Sequence, residues 1–81
     1  MKKLLALLRE IHPSVDFESC LTLIDDKILD SFDIITLIGE IGERFHVEIP
    51  PEEIVPENFN SARQMYQMIR RLSAEQKRGN R

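Results

Sequence analysis

The sequence predicts an all-α domain, a small antiparallel four-helix bundle of three main helices and one short one, with a long packed loop between the first two. Three observations predict it. Apolar residues recur at helical spacing in three separate runs. Prolines or polar clusters end those runs, and no stretch alternates apolar and polar residues as a half-buried strand does. With 81 residues, 42% of them apolar, the chain can build one modest core. It has no room for an enclosed active site with its supporting shell.

The first helix is expected over residues 2–11, where Leu4, Leu7, Leu8 and Ile11 share a face. Pro13 stops it, because a proline pushes the residue before it out of helical geometry. Residues 12–30 have no strong period. Their Phe17, Leu21, Leu23, Ile24, Ile28 and Leu29 nevertheless supply apolar surface to pack across the helices, with a helical turn expected at residues 16–20. The second helix spans residues 31–45, capped by Asp30 or Ser31, with Ile34, Leu37, Ile38, Ile41 and Phe45 inward. Pro50 and Pro51 bar its continuation, and Val47, Glu48 and Ile49 run extended into them. A short helical turn fits residues 56–59, with proline in the first turn where its missing donor is harmless. The last helix starts from an Asn60 or Ser61 cap and carries Ala62, Met65, Tyr66, Ile69 and Leu72 on one face. Met65 and Met68 read as bundle packing. The domain is taken as residues 1–73, followed by a polar tail, residues 74–81, that frays.

Charge is unevenly laid out. Ten of the fourteen carboxylates lie between residues 25 and 57, opposed there only by Lys27 and Arg44. The end of the chain is the reverse, with Arg63, Arg70, Arg71, Lys77, Arg78 and Arg81 against Glu75. The negative middle steers basic protein partners towards it and repels nucleic acid. Cys20 is the single cysteine, so no internal disulfide and no cysteine-pair metal site can form. It reads as a small core residue in a protein of the reducing cytoplasm. The apolar run after Lys2-Lys3 is too short for a signal peptide, and Arg9-Glu10 end it without a small-residue cleavage site. No segment approaches the roughly 20 apolar residues that cross a bilayer. A cytoplasmic monomer is expected.

Most catalytic classes find no residues to work with. His12 and His46 lie in no metal-ligand spacing and have no serine or cysteine arranged beside them. Asp25, Asp26, Asp30 and Asp33 lack the loop glycine and terminal glutamate of an EF-hand. No glycine-rich phosphate loop exists. No catalytic residue and no metal site are therefore assigned.

The informative residues are Asp30-Ser31-Phe32-Asp33, set before the second apolar run. They place one hydroxyl at a helix mouth, between two carboxylates and beside a large apolar side chain. Nothing near it in sequence can activate Ser31 as a nucleophile, so it reads as an attachment point. A phosphodiester there would meet unpaired N–H groups and the positive end of the helix dipole. Asp30 and Asp33 would repel that anion while attracting a basic modifying enzyme or its metal. The same residues also suffice as a helix cap with a first-turn carboxylate. Phe32 and Ile35 fall away from the core face, on a side made of Thr36, Gly39, Gly42 and Glu43. Glycine costs roughly 1 kcal/mol against alanine inside a helix, which is easier to understand if another molecule must approach closely there.

The string Leu29-Asp30-Ser31-Phe32-Asp33 resembles the Asp-Ser-Leu-Asp/Glu motif of acyl carrier proteins. The likeness extends through Leu23-Ile24-Asp25-Asp26, Phe45, Ile49-Pro50 and the final helix. The resemblance implies a four-helix carrier fold and a 4′-phosphopantetheine arm joined to Ser31 by a phosphopantetheinyl transferase that uses coenzyme A. It implies that the arm holds an acyl or aminoacyl group as a thioester. Asp30, Phe32 and Asp33 would flank the arm, and Phe32, Asp33, Ile35, Gly39 and Glu43 would dock acyl- or aminoacyl-handling enzymes through their basic patches. Phenylalanine replaces the usual leucine after the serine, and Thr36 and Gly42 stand where fatty-acid carriers usually have glutamates. Residues 51–59 are longer and richer in proline. These departures resemble specialised carriers of polyketide, peptide or D-alanine-transfer pathways rather than the housekeeping fatty-acid carrier. The alternative reading is an unmodified acidic helical adaptor that docks basic proteins.

Overall fold

A computed structural model describes the backbone of residues 1–79 and the side chains of residues 1–76. Among the described residues there are four helices and no strand: α1 (Lys2–Ile11), α2 (Ser31–Phe45), α3 (Pro56–Phe59) and α4 (Ala62–Gly79). A single 3-10 turn at Pro51–Glu53 precedes α3. The expected helical class and element order are both present.

The core forms where the periodic faces meet. Leu4, Leu7 and Leu8 of α1, Leu37 and Ile41 of α2, and Met65 and Met68 of α4 are closed to solvent. Phe17 from the loop and Phe59 from α3 fill the space between them. Burying each such side chain favours the fold by about 1.5–3 kcal/mol, before the entropy of ordering it. Helices α1 and α2 run antiparallel. Lys3 Nζ donates to the Arg44 carbonyl at 2.7 Å at one end, and His12 lies 2.8 Å from Asp33 at the other.

Residues 12–30 are ordered by two successive turns. In the first, the expected one, Cys20 N–H donates to the Asp16 carbonyl at 3.1 Å and Ser19 Oγ to Asp16 Oδ2 at 2.7 Å. The second was not expected. Asp26 N–H donates to the Thr22 carbonyl at 2.8 Å, and left-handed Lys27 (φ 59°) then reverses the chain. Asn60 pins this turn to the α3–α4 junction, its Oδ1 accepting the N–H groups of Ile24 and Asp25 at 2.9 and 3.0 Å. Phe17, Leu23 and Leu29 are buried as expected, but Leu21 is 69% exposed. It lies between Cys20, which packs against the core, and the second turn, so the chain there has already committed its inward positions.

Helix α2 stops before the prolines. His46 adopts the left-handed conformation (φ 55°, ψ 48°), which ends the α-helical ladder. Val47 and Ile49 then alternate inward around exposed Glu48. Ser61 Oγ accepts the Gln64 N–H at 3.1 Å and caps α4. Helix α4 runs on through residue 74 to Gly79, and the last two residues of the expected tail lie outside the described residues. Within that stretch Gln76 clamps the backbone of Glu48: its Nε2 donates to the Glu48 carbonyl at 2.6 Å, and Glu48 N–H donates to its Oε1 at 3.0 Å. Of the basic end, the side chains of Lys77, Arg78 and Arg81 lie outside the described residues, as do Asn80 and Arg81 altogether.

Candidate prosthetic-group attachment site

The start of α2 is fixed by a reciprocal cap. Asp30 Oδ1 accepts the Asp33 N–H at 2.8 Å, and Asp33 Oδ2 accepts the Asp30 N–H at 3.2 Å. Each aspartate thus satisfies a donor that the helix leaves open. Ser31 is the first residue of α2 and is exposed. Among the described residues its hydroxyl makes no hydrogen bond, to His12 or to either aspartate. The N–H groups of Ser31 and Phe32 likewise find no acceptor among the described residues. Two free donors at the positive end of a 15-residue helix suit a phosphodiester esterified to the adjacent hydroxyl.

Asp33 has a second partner. His12 Nε2 lies 2.8 Å from Asp33 Oδ2, with the two side chains 32% and 19% exposed. Burial alone would raise the Asp33 carboxyl, but hydrogen bonds from His12 and the Asp30 backbone outweigh it and hold it below the ordinary 3.8. An ionised carboxylate only accepts, so Nε2 is the donor. His12, to which the sequence assigns no metal or catalytic role, therefore stands against the site. No spacing rule joins residues 12 and 33. The available signal was topological, because antiparallel helices bring the end of one to the start of the next.

The outer side of α2 is apolar and open. Phe32 is 75% exposed and Ile35 is 67% exposed. Phe32, Ile35, Thr36, Gly39 and Glu43 lie along one exposed stripe, as their spacing around the helix requires. Asp33 is not on it: its position is a quarter-turn away, and its carboxylate is held to α1. A Cβ on Gly39 would have nothing within 4 Å, and one on Gly42 would meet only the Val47 carbonyl at 3.5 Å. Neither glycine is demanded by the fold. The helix also presents less free acid than its sequence suggests. Arg44 takes Glu10 at 2.9 Å and Glu40 at 3.2 Å, and Asp30 and Asp33 are occupied by the cap. Glu43 is exposed and makes no ion pair among the described residues.

On the far side of Ile34 an apolar cleft of about 130 Å³ opens between the loop, α2 and α3, bounded by Ile24, Ile54, Val55, Pro56 and Phe59. Among the described residues no cluster of three metal-ligating side chains occurs, and no helix is long and apolar enough to cross a membrane.

No curated protein and no solved structure matches the chain. The family model of the phosphopantetheine attachment site matches residues 29–69, half of the chain, from just before the Asp30 cap into the first turns of α4. Its match frames the helix mouth where Ser31 stands exposed beside unpaired N–H donors. The chain belongs to the phosphopantetheine attachment-site family, a family of carriers that bear covalently attached 4′-phosphopantetheine.

Proposed function

We propose that Ser31 carries the 4′-phosphopantetheine arm, and that the chain uses the arm's thiol to hold an acyl or aminoacyl group as a thioester. The observation that supports this most is an exposed hydroxyl with no base of its own, beside the free Ser31 and Phe32 N–H groups. Because the chain supplies no base, the phosphopantetheinyl transferase must take the serine proton. The Ser31 Oγ–phosphorus bond then forms as the coenzyme A pyrophosphate bond breaks and the adenosine bisphosphate leaves. Later partners, enzymes that load, modify or unload the cargo, would seat Phe32 and Ile35 in an apolar socket. A cation beside that socket would meet Glu43. With Asp33 and Glu40 of α2 already engaged, this docking is more apolar and less acidic than that of fatty-acid carriers. A specialised polyketide, peptide or D-alanine-transfer pathway fits that character. The carrier is proposed to work as a cytoplasmic monomer, with residues 1–73 as the carrier domain.

The test is direct. Incubation with coenzyme A and a promiscuous phosphopantetheinyl transferase should add one arm to the wild type, read by intact mass. Ser31→Ala should remain unmodified with its far-ultraviolet circular dichroism unchanged. A wild-type mass that stays constant with several such transferases would instead favour the unmodified adaptor.

A further inference from the structure

The cap at the start of α2 uses aspartate at its third helical position, where the reciprocal box is usually closed by the longer glutamate or glutamine. The shorter side chain pays in reach. Its return bond to the Asp30 N–H is 3.2 Å, at the long end of the range, whereas the bond it shares with His12 is 2.8 Å. The better-placed donor on Asp33 Oδ2 is thus the imidazole of another helix. His12 is itself held in place. Its N–H donates to the Leu8 carbonyl at 2.9 Å, its carbonyl accepts the Val15 N–H at 3.3 Å, and Pro13 follows it. Nε2 donates whether the imidazole is neutral on that tautomer or protonated, so the contact does not depend on its charge.

A general role in joining α1 to α2 does not account for this contact. Those helices already share buried leucines, the Lys3–Arg44 backbone bond and the Glu10–Arg44 pair. A part-exposed histidine–carboxylate pair adds little to that. What it does uniquely is brace the residue two positions after the serine.

We propose that His12 is a positioning residue for arm attachment: through Asp33 Oδ2 it fixes the first turn of α2 and thereby the line along which the Ser31 hydroxyl meets the transferase. The inference rests on Ser31 being the attachment residue. It assigns His12 no contact with substrate. Its effect should fall on turnover, because orienting a nucleophile acts in the transition state while the Phe32–Ile35 docking surface stays intact.

Two variants separate this from a structural role. In His12→Gln the side-chain amide reaches about as far as Nε2, whereas in His12→Asn it falls short; both stay polar at a helix end. With the apo-protein as substrate for a promiscuous transferase and coenzyme A, His12→Asn should lower kcat roughly tenfold with KM for the carrier little changed. His12→Gln should recover most of that loss. Amide exchange at Asp33 and Ile34 should quicken in His12→Asn and return in His12→Gln. Wild-type kcat in His12→Asn, a change confined to KM, or His12→Gln no better than His12→Asn would overturn the proposal. If the wild type takes up no arm, the attachment reading fails separately. The exchange measurement then still decides whether His12 fixes the helix start, and equal exchange in all three proteins would overturn that.

Discussion

Ile34 and Ile35 are neighbours of identical chemistry on one helix, yet the first is 9% exposed and the second 67%. One step is 100° of rotation, and it carries the chain from the side that makes the fold to the side that is left over. The inward side of α2 is explained by its burial against α1 and in the shared core. Folding alone leaves the outward side unexplained, since Phe32 and Ile35 gain nothing there and Gly39 weakens the helix without relieving any contact. A lone exposed apolar residue needs no explanation. Two beside an unpartnered serine and an open glycine do.

The largest expected effect comes from treating the two sides alike. Leu37→Ala, at a position closed to solvent, should destabilise the protein by about 2–5 kcal/mol in urea unfolding. Ile35→Ala should stay within about 0.5 kcal/mol of wild type, while slowing transfer to or from the arm by a partner enzyme. An Ile35→Ala midpoint as low as that of Leu37→Ala would break the comparison, because Ile35 would then be packed.

Acid tests the rim between the two sides. Hydrogen bonds from Arg44 and Arg71 hold Glu10 and Glu53 below their ordinary 4.5. Asp33, which burial alone would raise, is held below 3.8 by His12 and the Asp30 backbone. A carboxyl lowered by folding stabilises the native state above its unfolded value and loses that contribution as pH falls through its folded value. The melting temperature should therefore change little from neutrality to about pH 5 and fall below the ordinary carboxyl range. Asp33→Asn should make that fall shallower. A melting temperature that rises as acid is added would mean that relief of carboxylate repulsion outweighs these pairs.

How far the sequence revealed this contrast follows from distance along the chain. The bounds of α1 and α2, the α3 turn and the angular place of Phe32, Ile35 and Gly39 rest on relations within one helix, and periodicity reads those. The Asp30 cap is local too. The His12–Asp33, Asn60–Ile24 and Gln76–Glu48 contacts join residues 21, 36 and 28 apart, so they exist only once helices are packed. The same limit made the middle of the chain look more negative than it is, because Arg71 of α4 reaches back to Glu53. Leu21 was misplaced for a related reason: in a loop without a period, only the two turns decide which apolar residues face in.

Gly39→Ala carries the smallest effect and discriminates most sharply between fold and function. A methyl group at Gly39 meets nothing within 4 Å, so the change should stabilise the isolated protein by about 0.5–1 kcal/mol through helix propensity. At Gly42 the Val47 carbonyl stands at 3.5 Å, an ordinary contact, so alanine there should also be accepted. If a partner packs flat against the exposed stripe, the Gly39 methyl intrudes on it and transfer slows, although the carrier itself is more stable. Opposite signs in urea unfolding and in partner turnover would tie this glycine to docking. A stabilised Gly39→Ala with undiminished turnover would confine the docking surface to Phe32 and Ile35, at the serine end of the helix.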